Sequence, residues 1–213
     1  CGLFIIKLQN FSPFFIECLA ALHIAAGICK LKIPSKIVLK KVDTFTTLQS
    51  GNGRTKGYRI YFKDSAYNQN YYRLYVYRTY KKYEINSKLV PIDSSIITER
   101  LGITGTEYPF LRNPFNTYNP KEILFSDEIM NGVNAKFEVY ELLPRTENIF
   151  HKTIEVKVVL ENITEDLYTY YNSRNAHLWQ QNSITQIPMV VSGNINNGYG
   201  IFGAYTQSVL RVE

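Results

Sequence analysis

Two-residue alternation of apolar and polar side chains is the feature that most limits what this chain can fold into. Tyr58, Ile60 and Phe62 alternate with Arg59, Tyr61 and Lys63. Across residues 70–78, Tyr72, Leu74 and Val76 share one face, and Tyr71, Arg73, Tyr75 and Tyr77 share the other. Successive strand side chains point to opposite faces, so a period of two predicts strands with one buried and one wet face. The same period sets Ile37 and Leu39 against Lys36 and Lys40, with Val42 joining the apolar set and Lys41 the polar set one residue out of phase. It sets Ile154, Val156 and Val158 against Glu155 and Lys157. It also places Phe137, Val139 and Glu141 on one face of residues 135–143. Aromatic usage agrees: 17 Tyr and 12 Phe stand against one Trp and two Met, which suits half-wet strands.

Turn chemistry divides these segments. Residues 49–56 (QSGNGRTK) and Asn131-Gly132 read as turns, the second as a hairpin signal. The strands at 58–63 and 70–78, joined by a short polar loop, read as a hairpin or Greek-key pair. Residues 86–120 hold Pro91, Gly102, Gly105, Pro109, Pro114 and Pro120 with little pattern, and so read as one long functional or mobile loop. One helix is signalled: Thr164 can cap it, Glu165 and Asp166 suit its first turn, and Leu167, Tyr171 and Leu178 lie roughly on one face up to Gln181. A short apolar strand from Ile187, a Gly/Asn-rich loop and a strand over 204–212 close the chain. The expectation is a mainly β protein, an antiparallel β-sandwich of immunoglobulin-like kind with one C-terminal α-helix.

A chain of 213 residues that is 45% hydrophobic and 20% charged excludes disorder, collagen and coiled coil. Residues 32–213 are expected to form the sandwich domain, with its C-terminal helix and Gly/Asn-rich loop. Residues 1–31 are an atypical segment or the remnant of an N-terminal domain. The stretch 11–31 contains Glu17 and His23, and its longest clean apolar run is 18–22, far short of the ~20 residues a membrane span needs. The cysteines at 1, 18 and 29 are too few for a disulfide scaffold and lack C-x-x-C spacing. Cys1 is either a lipidated residue left by signal-peptide processing or simply a cut end.

Motifs for catalysis are weak. Gly198, Gly200 and Gly203 match G-x-G-x-x-G, but a dinucleotide site needs a helix and an acidic partner ~20 residues on, and only ten residues follow. His23, His151 and His177 are scattered, so no zinc site or cofactor is expected. The pair Glu165-Asp166 belongs to the helix start, and Asp127-Glu128 to a loop. No catalytic residue is assigned and a hydrolase is the weakest alternative. Charge is uneven: residues 1–106 carry 16 basic and 6 acidic side chains, the remainder 8 and 12. Tyr71, Arg73, Tyr75 and Tyr77 interleave aromatic rings with charge. That face is read as a cross-strand sheet surface and a tentative ligand site for a glycan or other nutrient, rather than a platform for nucleic acid.

The run YRIYFKDSAYNQNYYRLYVY (58–77) resembles the "F-x-D … NYYRL" block of a Bacteroidota lipoprotein family described as a domain of unknown function. ILFSDEIMNG (123–132) is similar to that family's "lfsD…nG" segment. ITEDLYTYYNSRN followed by PMVVSGNINNGYGIFGAY resembles its closing "sNI-nG-GiFg" signature. The resemblance covers roughly residue 33 to the end. It implies an exported, mostly β lipoprotein, lipid-anchored at the outer membrane through a lipobox cysteine rather than a transmembrane helix. It further implies an accessory or partner of a TonB-dependent receptor. The alternative is a carbohydrate-binding module using exposed Tyr, including Tyr199 and Tyr205. The loop residues Asn194, Gly198, Gly200, Phe202 and Gly203 are expected to be structural, with Ile201 and Phe202 plugging the adjacent sheet.

Overall fold

In a computed structural model of the chain, the alternating segments pair into sheets whose apolar faces meet. The structure describes residues 4–7, 16–18, 29–49, 53–66, 68–85, 91–105, 108, 111, 121–142, 150–181, 189–195 and 200–212. The strands are β1 (Phe4–Lys7), β2 (Ile16–Cys18), β3 (Cys29–Leu31), β4 (Leu39–Gln49), β5 (Gly53–Lys63), β6 (Tyr71–Ile85), β7 (Pro91–Arg100), β8 (Ile103–Thr104), β9 (Ile123–Ser126), β10 (Asn134–Glu141), β11 (Phe150–Ile163) and β12 (Phe202–Val212). The helix α1 (Glu165–Gln181) lies between the last two. The expectation of a mainly β chain with antiparallel sheets and one late helix therefore holds.

A six-stranded sheet runs in the order β1-β12-β11-β6-β7, with β9 also paired to β6, and a four-stranded sheet runs β4-β5-β10-β8. All these pairings are antiparallel except β1 with β12. The faces that alternation marks as apolar meet in one cluster. Tyr58, Ile60, Phe62, Phe137 and Val139 come from the smaller sheet, and Tyr72, Leu74, Val76, Val156, Val158 and Leu160 from the larger. Phe62 sits at its centre, edge-on to Tyr72 at 5.4 Å and to Phe137 at 6.0 Å, spacings at which ring pairs add to burial. Within the β4–β5 hairpin, Phe45 is opposite Gly57 and covers it so closely that a Cβ there would lie 2.4 Å from the ring.

Three sequence expectations change. The strands at 58–63 and 70–78 are not a hairpin: β5 and β6 belong to different sheets. The Asn131-Gly132 turn likewise joins β9 of one sheet to β10 of the other. Both segments are corners between the sheets, and they lie side by side. Asp64 N–H donates to the Val133 carbonyl at 3.2 Å, and Asp127 N–H to that of Asn70 at 3.1 Å. Asp64 then accepts from Gly132 N–H at 2.7 Å, from the Asn70 amide at 3.2 Å and from the Tyr72 hydroxyl. Gly132 stands at φ 75°, a backbone region glycine enters without strain. Alternation gives each strand's buried face, but it does not say which sheet the next strand joins.

The second change is at 86–120, where β7 and β8 form inside the expected loop. β7 reads PIDSSIITER and among the described residues pairs only with β6. Residues 93–96 are exposed on both faces, so no apolar period is imposed on them. The third is at 187–191, where an apolar strand was expected. Residues 189–195 are irregular, and 187–188 lie outside the described residues. Among the described residues no helix is long and apolar enough to cross a membrane.

The corner chemistry predicts that Asp64→Ala, which strands the buried Tyr72 hydroxyl and the Gly132 N–H, lowers unfolding free energy by about 2–4 kcal/mol. Lys63→Ala at an exposed neighbouring site should change it by less than about 0.5 kcal/mol. Urea denaturation of the two variants measures both. Equal, small effects would contradict the role given to Asp64.

Candidate functional site

The register of the larger sheet arranges its outer face in rows that run across the strands. Tyr71 is opposite Ile163, Arg73 opposite Glu161, Tyr75 opposite Val159 and Tyr77 opposite Lys157. On the other side Arg73 faces Leu124 of β9, and Tyr77 faces Arg100 of β7. The four tentative ligand residues therefore do share a face, as two-residue periodicity requires. What alternation could not show is that α1 lies across part of it. Leu124, Ile163, Leu167, Tyr171 and Ile201 form a second apolar cluster, with Tyr71, Tyr168, Tyr170 and Tyr205 packed against it.

Beneath the helix the polar groups close on one another. Glu122, 1% exposed, accepts from Arg73 Nε at 2.7 Å and Nη2 at 2.6 Å, from Arg100 Nη1 at 3.3 Å, and from Arg174 Nη2 at 2.6 Å. Glu161 accepts from the Tyr75 hydroxyl at 2.6 Å and from Arg73 Nη1 at 3.3 Å. The Tyr171 ring lies between two guanidiniums, 4.4 Å from Arg73 and 4.9 Å from Arg174. Arg100 stacks 4.1 Å from the Tyr75 ring and donates to the Tyr77 hydroxyl at 3.3 Å. Burial opposes the Arg73 charge, but the carboxylates of Glu122 and Glu161 outweigh it, so its pKa rises above the usual guanidinium value. Burial, then the neighbouring Glu161, pushes the Tyr75 phenol well above 10. Burial raises Tyr171 as well, and lifts Tyr205 to about 12.

This arrangement separates the tentative ligand residues. Arg73 is engaged under the helix by Tyr171. Tyr75, held by Glu161 and stacked on by Arg100, is only 6% exposed, so it is not the free ring the sequence implied. Tyr71 stacks on Tyr168 at 4.9 Å. Tyr77, edge-on to Tyr75 at 5.4 Å, stays partly exposed. Sequence reasoning passed over Glu122, Arg100, Glu161 and Arg174, which come from separate segments, and read Tyr171 only as part of one helix face. A charged residue at an outward strand position looks solvated until the element covering it is known.

The Gly/Asn-rich region straps α1 down. Asn194 replaces a strand partner for Phe202, accepting from its N–H at 2.7 Å and donating to its carbonyl at 2.8 Å. Its amide also donates to Asp166 at 2.8 Å. Farther along, Ser192 N–H donates to Ser173 Oγ at 2.8 Å, and the His177 ring meets the Met189 carbonyl at 2.9 Å. Gly200 has φ 138°. Gly203 lets the helix approach β12, since a Cβ there would come within 3.0 Å of the Leu167 Cβ. Ile201 is 1% exposed, in the cluster under the helix, and Phe202 is half-buried. Cys1, Gly198 and Tyr199 lie outside the described residues. Among the described residues no group of three or more His, Cys, Asp and Glu side chains is placed to hold a metal ion.

Breaking a buried ion pair by removing one partner costs about 3–5 kcal/mol. Glu122→Gln, which leaves Arg73, Arg100 and Arg174 without their shared carboxylate, should therefore destabilise the protein by about that amount, read in urea. Glu99→Gln at the half-exposed Arg78 pair should cost no more than about 1 kcal/mol.

The buried phenols give a second test. Tyr58 donates to Glu141, Tyr72 to Asp64 and Tyr75 to Glu161, and burial first, then the carboxylate, raises each pKa. A raised native pKa means their stabilising contribution is whole below the unfolded value of about 10 and is lost as pH rises beyond it. Absorbance titration should show these phenols ionising only as the protein unfolds cooperatively. Smooth, reversible ionisation of all 17 tyrosines near pH 10 would contradict it.

Comparison with curated proteins and with solved structures returns no match. The family model described as "Domain of unknown function (DUF4249)" matches residues 29–211, nearly all of the region in which the corners, the clamped helix and its strap occur, and the chain belongs to that family.

Proposed function

We propose that this protein is a non-enzymatic lipoprotein of the cell envelope, lipid-anchored at the outer membrane, that serves as an accessory or ligand-binding partner of a TonB-dependent transport system. On this reading the two facing sheets are an immunoglobulin-like antiparallel sandwich. The observation that carries a binding role is the unequal cover of the outer sheet face. Polar chemistry under α1 is consumed in holding the helix, whereas beyond Arg100, which still belongs to the Glu122 cluster, no element among the described residues covers the next rows, and Ser94, Ile96 and Thr98 are exposed. These rows bring Tyr77, Thr79, Lys81 and Tyr83 of β6 beside Arg100, Thr98, Ile96 and Ser94 of β7. Ile96 is 71% exposed. Aromatic, basic and apolar side chains on one rigid face are the composition of protein contact surfaces.

Tyr77 and Tyr83 are partly exposed on these rows, and this supports a second reading, in which the rings stack on a glycan.

With tagged protein and a TonB-dependent receptor expressed together, the receptor should co-purify. Repeated recovery of the tagged protein alone would remove the accessory reading. Glycan-array binding abolished by Tyr77→Ala would favour the second reading. Binding unchanged by that substitution, or no glycan bound at about millimolar concentration, would remove it.

A further inference from the structure

The half of the outer face beyond the helix holds charge that no described residue compensates. Lys81 is directly opposite Lys152 of β11 on one side and Ile96 of β7 on the other. Like charges directly opposed on neighbouring strands disfavour the sheet. Nearby charges are already engaged: Glu155 holds Lys157 at 2.7 Å and Arg211 at 2.9 Å, and Arg100 is bound to Glu122. The acids at this end of the sheet, Glu84 and Asp93, are opposed to each other one residue out of phase with Lys81, hence on the other face. Among the described residues neither Lys81 nor Lys152 forms an ion pair; Lys81 lies 5.3 Å from the Tyr83 ring centroid instead.

Beside this charge runs an open edge. β7 stands at the end of the sheet order, and among the described residues it pairs only with β6. Residues 93–96 and 98 are exposed. Natural edges are commonly guarded by lysine, proline or inward charge. In β7 (PIDSSIITER) such guards stand only towards the ends, at Pro91, Asp93 and Glu99, and the run 94–98 carries neither charge nor proline.

We propose that the β7 edge and the Lys81–Lys152 pair form one docking surface for an acidic, extended segment of a partner protein. The segment adds as a strand beside β7, sets an apolar side chain on Ile96 and directs a carboxylate to Lys81. This rests on the accessory reading and supplies the chemistry of its partner. An added strand lies about 4.8 Å from β7 and about 10 Å from β6, which a glutamate and a lysine span together. Lys152 is one strand farther and acts through its field, within about a Debye length. A lipid surface could use the lysines but not the open backbone groups of an edge. A second copy of this chain would bring β7 against β7, whose outer-face residues Ser94, Ile96, Thr98 and Arg100 offer no carboxylate.

The probe is a labelled short peptide alternating glutamate with valine, compared by fluorescence anisotropy with its lysine-valine counterpart and with an N-methylated form. The acidic peptide should bind, the lysine peptide should not, and N-methylation should abolish binding. Lys81→Glu should weaken the acidic peptide about fivefold to tenfold and admit the lysine peptide, while Lys152→Glu should weaken the acidic peptide less. Both variants lie at partly or fully exposed positions, and a matching urea midpoint confirms that they fold. Equal binding of both peptides, undiminished binding of the N-methylated form, or binding to phosphatidylglycerol vesicles in place of the peptide would overturn the proposal. So would self-association that Lys81→Glu leaves unchanged. The two readings fail separately. If Lys81→Glu protein recovers receptor at wild-type yield, this surface is wrong and the accessory role stands. If wild-type protein binds the acidic peptide but recovers no receptor, the accessory role is wrong and the surface stands.

Discussion

The burial of Glu122 among three arginines is the interaction on which the second layer of this protein depends. A carboxylate taken out of water is costly, and that cost is offset only where hydrogen-bonded opposite charge surrounds it. Here Arg73 comes from β6, Arg100 from β7 and Arg174 from α1, so one side chain ties the helix to two neighbouring strands. The arrangement has little value as an isolated surface ion pair, where such contacts contribute from nothing to about 1 kcal/mol. Its effect is positional: the helix can lie over a face of tyrosines and arginines because each charge beneath it is met.

A comparable logic holds the two sheets in place. The corners after β5 and β9 are fastened by Asp64, Asn70 and Asp127. Asn70 donates through its backbone N–H and its amide to Asp127 at 2.9 and 3.0 Å, and accepts from the Asn162 amide at 3.2 Å. Burial pushes the Asp127 carboxyl up, against the hydrogen bonds from Asn70. These residues lie in the two segments, 58–77 and 123–132, whose wording resembles a family signature. The closing signature supplies the strap and, through Tyr171 and Arg174, half of the helix clamp. The three segments thus mark the points where the chain turns between sheets and where the helix is fixed.

What was legible in the sequence followed from local physics. Alternation at 58–63, 70–78 and 156–160 marked buried faces that the core cluster contains, although Ile154, expected on the last of them, is turned out to 56% exposure by the β-bulge between Thr153 and Glu155. Thr164 with Glu165 and Asp166 marked the helix start where α1 begins. The Thr164 carbonyl accepts the Tyr168 N–H at 2.9 Å, as a first turn requires. The rest depended on non-local facts. Tyr71, Arg73, Tyr75 and Tyr77 read as one wet face because period two carries no information about a helix some ninety residues later in the chain that packs on Tyr71 and Arg73, or about the Arg100 that stacks on Tyr75. The hairpin readings failed because a turn's composition does not distinguish a return within one sheet from a crossing to another. β7 escaped notice because residues 93–96 are exposed on both faces, and a strand with no buried face is under no demand to alternate.

Site-resolved amide hydrogen exchange on the wild-type protein and on Arg174→Met tests the central claim most directly. If the Glu122 clamp docks α1, the helix amides are protected as strongly as those of β6 in the wild type, and lose that protection in the variant while β5 and β10 keep theirs. Helix amides that already exchange rapidly in the wild type, or protection of α1 untouched by the substitution, would contradict it.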